Sequence, residues 1–360
     1  MRVSLRAVLA MAAASVPLAL ASVVAGQASA AARPVATLPA ATTYSATGGL
    51  SGVAAASDSS AWAVGYVGNN GTGKILMLHW NGRAWSRVTS PKDAWAVGDT
   101  GNYADPHTLI LHWNGKAWSA VTSPAPVADG SLSAVTATAK GGWAVGYHST
   151  GSAAIDTSPV IFKLTGTKWS RVDPAFGKDS GVALDGVAVT SAGTTFATGL
   201  YTGMITGVLA RWNGSSWGWV SKFPEEGTYH WLNAIAAGPH GTAFALGINT
   251  ASAPVGVISI EWTGHSWVKA PAPSSASPHA IALAPGGTVW AAGSYGVGNH
   301  SLVMRWTGKA WSRVASPAKV EQLNGLAFAA KNYGWAVGVT NPDTGSTKTV
   351  IVHWNGRSWS

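Results

Sequence analysis

The sequence contains no cysteine, and this absence excludes several classes of protein. Disulfide scaffolds, thiolate zinc or iron–sulfur sites and cysteine nucleophiles all need a sulfur that the chain lacks. Charge is also scarce, because only 10% of the residues are charged, whereas average globular chains reach about 25%. Low charge together with 47% hydrophobic residues excludes an intrinsically disordered chain.

Long apolar runs are absent except at the N-terminus. There, Arg2 and Arg6 precede an Ala-, Leu- and Val-rich run over residues 7–24, and Ala28-Ser29-Ala30 forms a small-x-small cleavage site. This is the pattern of a secretory signal peptide, so residues 1–30 are expected to be removed and the protein to be secreted. A membrane anchor is the alternative. No later run reaches the roughly 20 residues of a membrane helix, so no membrane span is expected in the mature chain.

Tryptophan is abundant, with 20 in 360 residues, and its positions form a repeat. An aromatic-Ala-x-Gly pattern occurs seven times, first as Trp62-Ala63-Val64-Gly65, and a Gly-x-x-Trp pattern follows each copy. The two patterns and the Trp that usually precedes the second contain 18 of the 20 tryptophans, and only Trp219 and Trp231 lie outside them. Internal repeats of this kind indicate an architecture built from copies of one unit.

The spacing of the repeat predicts a β-propeller. Most intervals between copies of the aromatic pattern are 45–53 residues, the length of four short strands with their turns. Each unit is interpreted as strand A (Leu-x-x-Val-Ala), strand B (Trp-Ala-Val-Gly), strand C ending in Trp, and strand D (Trp-Ser-x-Val). We therefore predict an all-β propeller of seven units over residues 50–360, mostly with four strands each.

Two units depart from this pattern. Only three residues separate Pro91 from Trp95, so the second unit is predicted to lack its inner strand A. The last unit ends just after Trp359 and lacks most of strand D. In the N-terminal extension, residues 31–49, the extended segment from Pro34 to Tyr44 is a candidate for that outer strand and for closure of the ring.

The repeat tryptophans are interpreted as core residues rather than ligand contacts. Along strand B large side chains alternate with small ones, so a bulky face of one blade can pack against a small face of the next. A two-residue hairpin turn is expected at Asn81-Gly82, which places Trp85 opposite Leu78. The structural positions assigned in this way are Trp62, Trp85, Trp95, Trp118, Trp143, Trp169, Trp217, Trp267, Trp290, Trp311, Trp335 and Trp359.

The tandem motif resembles a known group of proteins. Trp-Ala-Val-Gly followed by His-Trp-Asn-Gly-x-x-Trp-Ser-x-Val-x-Ser-Pro is similar to the secreted, Trp-rich propellers of actinobacteria, grouped with kelch-type or galactose-oxidase-central-domain-like propellers. The resemblance covers about residues 50–360 and implies a fold but no activity. The copper-radical chemistry of galactose oxidase is excluded, because its Cys–Tyr cross-link needs a cysteine.

A second, partial resemblance concerns the hairpin. Gly-x-x-Trp is similar to the tail of the Asp-box of sialidase-like propellers. The Asp position of that box is Trp80 in the first unit, Leu164 in the third and Trp in the others. A sialidase assignment therefore does not follow.

One loop breaks the repeat and is the candidate ligand-binding site. It joins the fourth unit to the fifth and contains Glu225, Glu226, Tyr229, His230 and Trp231. Three interpretations are open: a sugar-stacking Trp with polar partners, an acid/base pair for glycoside cleavage, or a solvated loop whose Trp caps the blade edge. The loop belongs to the propeller face of the D-to-A and B-to-C connections. These vary between units, which favours a specific function on this face.

No catalytic residue, metal or cofactor is assigned. No carboxylate recurs at a fixed repeat position, and no Gly-rich phosphate loop joins a strand to a helix. The loop from Asp99 to Asp105 has oxygen ligands for Ca²⁺ but lacks EF-hand spacing, and an ordinary polar turn is the alternative. His79, His112 and His353 occupy a strand C position that holds Lys, Arg or Glu in other units, so they are interpreted as solvent-facing.

Positive charge collects in and beside the C-to-D turns. Attraction to anionic wall polymers is one interpretation, and ordinary solubilising charge is the other. Nucleic-acid binding is not expected, because there is no helix to enter a groove and the chain is predicted to be exported. The residues are Arg83, Lys116, Lys168, Lys309 and Arg357.

The sequence as a whole predicts a secreted, monomeric, non-enzymatic binding or interaction module. Its expected ligand is carbohydrate or a cell-surface polymer, bound by variable loops on one propeller face. An extracellular glycoside hydrolase or polysaccharide lyase is the first alternative. A structural scaffold without a small ligand is the second.

Overall fold

A computed structural model describes residues 48–360, apart from short stretches in the loops. The predicted signal peptide and the segment Pro34–Tyr44 lie outside the described residues. The stretches not described are 58–59, 68–73, 88–93, 103–104, 115–116, 125–129, 139–140, 150–155, 177–180, 204, 221–222, 225–228, 252–255, 297–299, 317–319 and 341–347.

Seven antiparallel sheets follow one another along the chain, and each is one blade of a β-propeller. The predicted all-β, seven-unit propeller is thus confirmed. Blades 1–3 contain β1 (Gly48–Ser57), β2 (Ser60–Val67), β3 (Lys74–Trp80) and β4 (Trp85–Arg87); β5 (Ala94–Asn102), β6 (Asp105–Trp113) and β7 (Trp118–Val121); and β8 (Gly130–Thr138), β9 (Gly141–Ser149), β10 (Thr157–Thr165) and β11 (Lys168–Arg171).

The remaining four blades repeat the same up-and-down order. They contain β12 (Val182–Val189), β13 (Thr195–Tyr201), β14 (Thr206–Trp212) and β15 (Trp217–Trp219); β16 (His230–Ala237), β17 (Ala243–Asn249), β18 (Gly256–Trp262) and β19 (Trp267–Lys269); β20 (Ala276–Leu283), β21 (Val289–Tyr295), β22 (His300–Trp306) and β23 (Trp311–Arg313); and β24 (Gln322–Ala330), β25 (Tyr333–Thr340) and β26 (Lys348–Trp354).

The ring closes directly between blade 7 and blade 1. Strand β1 packs against β24 and β25, and Asn324 Nδ2 donates a 3.1 Å hydrogen bond to the carbonyl oxygen of Leu50. The outer edge of β26 is paired by the last residues of the chain. His353 and Ser360 exchange two backbone hydrogen bonds of 2.7 and 3.0 Å, and Trp354 pairs with Trp359. A short outer strand is therefore already present at this edge.

Within the described residues blade 2 has three strands, and the one without a counterpart is the inner strand, as predicted. Strand β5 pairs only with β6 and forms the edge of its sheet in the described part of the chain. Its side chains still pack on both neighbours. Trp95 and Val97 join the core shared with blade 3, whereas Ala96 packs with Trp62 and Val64 of blade 1.

A close backbone approach explains the glycine that ends each aromatic pattern. In six blades, a Cβ placed on this glycine would lie within 1.7–2.0 Å of a carbonyl oxygen of the inner strand. No side chain fits at that distance, so the inner strand can be seated only over glycine. The six glycines are Gly65, Gly146, Gly199, Gly247, Gly293 and Gly338.

The repeat tryptophans pack between blades. Trp143 of blade 3, for example, contacts Trp212 and Trp217 of blade 4, with ring centroids 4.8 and 5.1 Å apart. The predicted hairpin register was wrong: Trp85 pairs with Trp80, not Leu78. Because Asn81 Oδ1 accepts hydrogen bonds from two backbone amides of the turn, the connection is a four-residue loop instead of a two-residue turn.

The solvent-facing interpretation of the strand C histidines was wrong for two of them. His79 and His353 are buried, and their rings lie 4.8 Å from Trp62 and 4.4 Å from Trp335. They extend the aromatic layer between blades. Burial lowers the pKa of both, that of His353 to about 4.

Candidate functional site

A β-bulge interrupts the inner strand in each of the six blades whose inner strand is described. At the first bulge of each inner strand one residue has no partner on strand B, and in all six blades that residue is polar. We call this set the bulge ring. Its members are Ser51, Ser133, Asp185, Asn233, His279 and Asn324. Because inner strands border the central channel of a propeller, the bulge ring places polar groups around that channel.

Several members of the bulge ring reach the inner strand of the next blade. Asn324 donates to blade 1, as described above, and His279 interacts with the Asn324 side chain and the backbone of Leu323. Burial lowers the pKa of His279, and these two hydrogen bonds act in the opposite direction. Hydrogen bonds of the bulge ring therefore join neighbouring blades.

A side-chain hydrogen bond of the bulge ring also involves Trp231, which lies outside the tryptophan repeat. Its indole Nε1 donates a 2.7 Å hydrogen bond to Asp185 Oδ2, from β16 of blade 5 to β12 of blade 4. Trp231 is half-buried, unlike most of the repeat tryptophans. In the bulge of the same strand, Asn233 Oδ1 is buried and has no hydrogen-bond partner among the described residues. Ser133 Oγ at the equivalent bulge of blade 3 is likewise buried and has no partner among the described residues, so this orphaned acceptor belongs to the repeat.

Tyr229 lies two residues before Trp231 and has an unusual backbone. It is 50% exposed and its φ is +64°, in the left-handed region that disfavours side chains. The amide and hydroxyl of Thr250 hold this conformation by donating 3.0 and 3.2 Å hydrogen bonds to the Tyr229 carbonyl. Blade 4 has the same two hydrogen bonds, from Thr202 to the Gly181 carbonyl, and blade 6 has the backbone one alone, from Gly296 to the Ser275 carbonyl.

Ile205 is a second exposed apolar residue on this face. It lies in the B-to-C connection of blade 4, is 42% exposed and has a φ of +50°. Gly207, two residues further along the chain, lies against blade 5, because a Cβ placed on it would be 3.3 Å from the Leu232 side chain and 3.5 Å from the His230 carbonyl. Within the described ranges, Ile205 and Tyr229 are the two residues that combine a large exposed apolar side chain with a left-handed backbone.

We group these residues of blades 4 and 5 under one name, the blade 4–5 junction. It comprises Asp185, Ile205, Tyr229, Trp231 and Asn233. Of the residues predicted from the sequence, Tyr229 and Trp231 belong to it, and His230 lies between them at the start of β16. Glu225 and Glu226 lie outside the described residues. Sequence reasoning missed Asp185, Asn233 and Ile205, although the polar residue that recurs after Leu in strand A was a usable signal.

The predicted calcium loop receives no support as a metal site. Asp99 Oδ2 accepts a 2.7 Å hydrogen bond from the Ser131 hydroxyl of blade 3, and Tyr103 and Ala104 lie outside the described residues. The described part of the chain contains no group of three or more His, Asp or Glu side chains arranged to hold a metal ion. It also contains no helix long and apolar enough to span a membrane.

Comparisons with known proteins support the fold. No family model and no curated protein sequence matches the chain. It is similar to the acylaminoacyl peptidase of Pyrococcus horikoshii, with a TM-score of 0.55 and 8% identity, covering 87% of this chain and 52% of the peptidase. It is also similar to the Penicillium chrysogenum α-L-arabinanase complexed with arabinobiose, with a TM-score of 0.51 and 8% identity, covering 88% and 99%.

A third similar structure is the fucose-recognising lectin of Aleuria aurantia, a six-bladed β-propeller. Its TM-score is 0.48 at 14% identity, over 74% of this chain and 95% of the lectin. The chain spans about half the length of the Pyrococcus peptidase. At 8% identity the two stronger likenesses concern the fold alone, and the fold is that of a β-propeller.

Proposed function

We propose that the protein is a secreted binding module that holds a carbohydrate at the blade 4–5 junction. The observation that carries the proposal is the pairing of two exposed, left-handed apolar residues with the Trp231–Asp185 hydrogen bond. The motif that resembles the secreted Trp-rich propellers of actinobacteria supports the same setting, and we infer membership of that group from it.

The chemistry of the junction suits a sugar. A pyranose ring offers an apolar face of C–H groups and a rim of hydroxyls, so its binding site combines aromatic surface with groups that donate and accept hydrogen bonds. Tyr229 and the half-buried Trp231 supply aromatic surface with polar tips. Asp185 is a hydrogen-bond acceptor, and the Asn233 amide nitrogen is a donor. A few polar groups placed in an apolar setting are typical of small-ligand sites.

The backbone of Tyr229 strengthens the argument. Blade 4 fills the equivalent clamped position with Gly181, which adopts positive φ without strain. A tyrosine there costs about 1–2 kcal/mol relative to glycine and leaves half of its side chain in water. Blade 6 carries Ser275 at this position, so the left-handed backbone belongs to the connection itself, and the large half-exposed side chain is what sets Tyr229 apart.

A panel of immobilised oligosaccharides, neutral and acidic, tests the proposal. The mature protein is expected to bind at least one glycan, and Trp231→Ala is expected to lose that binding by at least tenfold while the protein stays folded. Trp219→Ala is the matched control, because Trp219 is the other non-repeat tryptophan and lies in an outer strand. No glycan bound by the wild type, or equal effects of both variants, contradicts the proposal. Cleavage of the bound glycan supports the hydrolase alternative.

A further inference from the structure

The turns at one end of the blades carry most of the exposed positive charge of the described chain. The A-to-B and C-to-D connections of a blade lie at the same end, because neighbouring strands are antiparallel, and we call this end of the propeller the turn face. Its exposed cations lie in these turns or one residue before the Trp that ends strand C: Arg83, Lys168, Arg211, Arg305, Lys309, Lys331 and Arg357. The exposed cations described elsewhere are Lys269, Arg313 and Lys348.

Carboxylates are scarce on the turn face. Among the described residues, Glu261 is the one carboxylate at this end. Asp156, Asp173 and Glu321 lie in connections at the opposite end. The connections of the turn face that are not described, with the stretch that leads into β5, add these residues by sequence: Lys92, Lys116, Lys140, Asp58 and Asp93. The turn face therefore keeps a net positive charge when every residue of its connections is counted.

Five of the seven exposed cations lie on three neighbouring blades, 6, 7 and 1. We call these five the basic arc, which comprises Arg83, Arg305, Lys309, Lys331 and Arg357. Glu261 belongs to blade 5 and lies outside the basic arc. Within the described ranges, none of the five forms an ion pair with a carboxylate, so the fold does not neutralise their charges.

Contacts between turns join members of the basic arc across blades 6 and 7. A Cβ placed on Gly356 would lie 2.7 Å from the Asn332 side chain, so the two turns of blade 7 touch each other. Arg357 follows Gly356, and Lys331 precedes Asn332. The Lys331 side chain also extends to blade 6, where its Cδ would lie 3.5 Å from a Cβ placed on Gly286. The charges of these turns therefore belong to one continuous surface.

The aromatic layer between blades places the remaining cations beside blade 7. The ring of Trp290 in blade 6 lies 5.9 Å from the Arg305 guanidinium and 5.0 Å from the ring of Trp354, which precedes the C-to-D turn of blade 7. Trp80, which precedes the C-to-D turn of blade 1, lies 4.8 Å from Trp335 of blade 7. The packed tryptophans therefore fix the position of each charged turn relative to its neighbours.

The turns hold their backbone while they expose the charge. Asn81 Oδ1 accepts a 3.0 Å hydrogen bond from the Arg83 amide, and Asn355 Oδ1 accepts a 2.9 Å hydrogen bond from the Arg357 amide. The two arginines are thus presented in the same way from neighbouring blades. A backbone that is already ordered lowers the entropy that a partner's binding would cost.

We propose that the basic arc binds a linear polymer that carries an anionic group, a carboxylate or a phosphodiester, on each repeating unit. An extended surface of one sign of charge attracts such a chain, and arginine matches carboxylate and phosphate oxygens with two parallel hydrogen bonds. Because the sequence predicts export, the partner is a polymer of the cell envelope rather than a nucleic acid. The site is independent of the blade 4–5 junction, whose Ile205 and Tyr229 lie in connections at the opposite end.

Two double variants with the same loss of charge test the proposal in the full mature chain. The arc variant, Lys331→Gln with Arg357→Gln, removes two charges from the basic arc. The control variant, Lys269→Gln with Lys348→Gln, removes two exposed charges elsewhere. Lys348 begins β26, at the opposite end of blade 7 from Arg357. All four side chains are exposed, so both variants should keep their Tm within about 2 °C of the wild type.

Binding is measured to immobilised polygalacturonate, which carries carboxylates, and to poly(glycerol phosphate), which carries phosphodiesters, with neutral dextran and duplex DNA as comparisons. The wild type should bind one or both polymers more tightly than dextran or DNA. The arc variant should lose at least about tenfold in affinity for a polymer that the wild type binds, and the control variant less than about threefold. Equal losses would show attraction to net charge alone and overturn the proposal. A wild type that binds neither polymer, or binds DNA as tightly, also overturns it.

Salt dependence provides a second readout that needs no change in the basic arc. The affinity of the wild type for the polymer should fall at least about tenfold between roughly 50 and 200 mM salt, because binding releases the counterions of the polymer. Folded Trp231→Ala should bind the polymer as the wild type does, since Trp231 lies near the opposite end of its blade. An affinity that is independent of salt, or that is lost in Trp231→Ala, overturns the basic arc as the site.

Discussion

Trp231 Nε1 and Asp185 Oδ2 form a 2.7 Å hydrogen bond that joins the inner strands of blades 4 and 5. This contact links the one loop that breaks the tryptophan repeat to the polar ring around the channel. It also distinguishes Trp231 from a repeat tryptophan such as Trp217, whose side chain is fully buried.

The hydrogen bond predicts the effect of changing Asp185. Asp185→Leu leaves the indole N–H without its acceptor and should lower the free energy of unfolding by about 1–2 kcal/mol. Asp185→Asn keeps an oxygen acceptor and should cost less than half as much. Urea unfolding of the three proteins measures this difference, and equal stability of all three would show that the contact contributes nothing.

Two tryptophans in β15 should lose very different amounts of stability on truncation. Trp217 is 0% exposed and packs edge-on against Trp143, whereas Trp219 is 40% exposed and stacks on Phe176 with centroids 3.7 Å apart. Trp217→Ala should cost about 3–5 kcal/mol, and Trp219→Ala about 1 kcal/mol. Thermal unfolding separates the two, and similar losses would argue against a purely architectural role for the repeat position.

The strand B glycine predicts a large effect from a single methyl group. Gly199→Ala brings the new Cβ to 2.0 Å from the Ala183 carbonyl oxygen, so the variant should lose several kcal/mol or fail to fold. Gly218→Ala, in the outer strand of the same blade, should be neutral within about 0.5 kcal/mol. Soluble yield and Tm report both, and a stable Gly199→Ala protein would contradict the close approach.

Acidification should destabilise the protein through His353. Burial against Trp335 and Tyr333 lowers the pKa of His353 to about 4, whereas in the unfolded chain it is about 6.5. The unfolded state therefore binds the proton more tightly, and stability falls as the pH drops from about 6.5 towards 4.

The size of this loss is on the order of 2 kcal/mol after solvent screening is allowed for, and above pH 7 His353 adds no pH dependence. His353→Phe should flatten the decline between pH 6.5 and 4 without removing it, because burial also lowers the pKa of His79 and His279. Chemical unfolding at several pH values provides the test. Parallel profiles for wild type and variant would rule out His353 as a source.

The fold was predictable because the repeat encodes it redundantly. Seven aromatic patterns fixed the number of blades, and the short interval between Pro91 and Trp95 located the missing inner strand. The turn at Asn81 was misjudged because residue types do not show how many hydrogen bonds the Asn81 side chain accepts from the backbone. The two buried strand C histidines were misjudged because variation between units was taken as a sign of exposure.

The candidate site was predictable only in part. Tyr229 and Trp231 were found because they break the repeat. Asp185 was missed because a bulge residue looks like any other strand residue until the register is known. Ile205 was missed because its exposure follows from a backbone conformation that an isoleucine rarely adopts.

Tyr229→Gly tests the central claim most directly, because it separates stability from binding. Glycine suits the left-handed backbone at this position, as Gly181 does in blade 4, so the Tm should stay within about 2 °C of the wild type or rise. The affinity for a glycan bound by the wild type should fall at least tenfold in the same preparation. A variant that keeps its full affinity, or that loses several degrees of Tm, would contradict a binding role for Tyr229 and for the blade 4–5 junction.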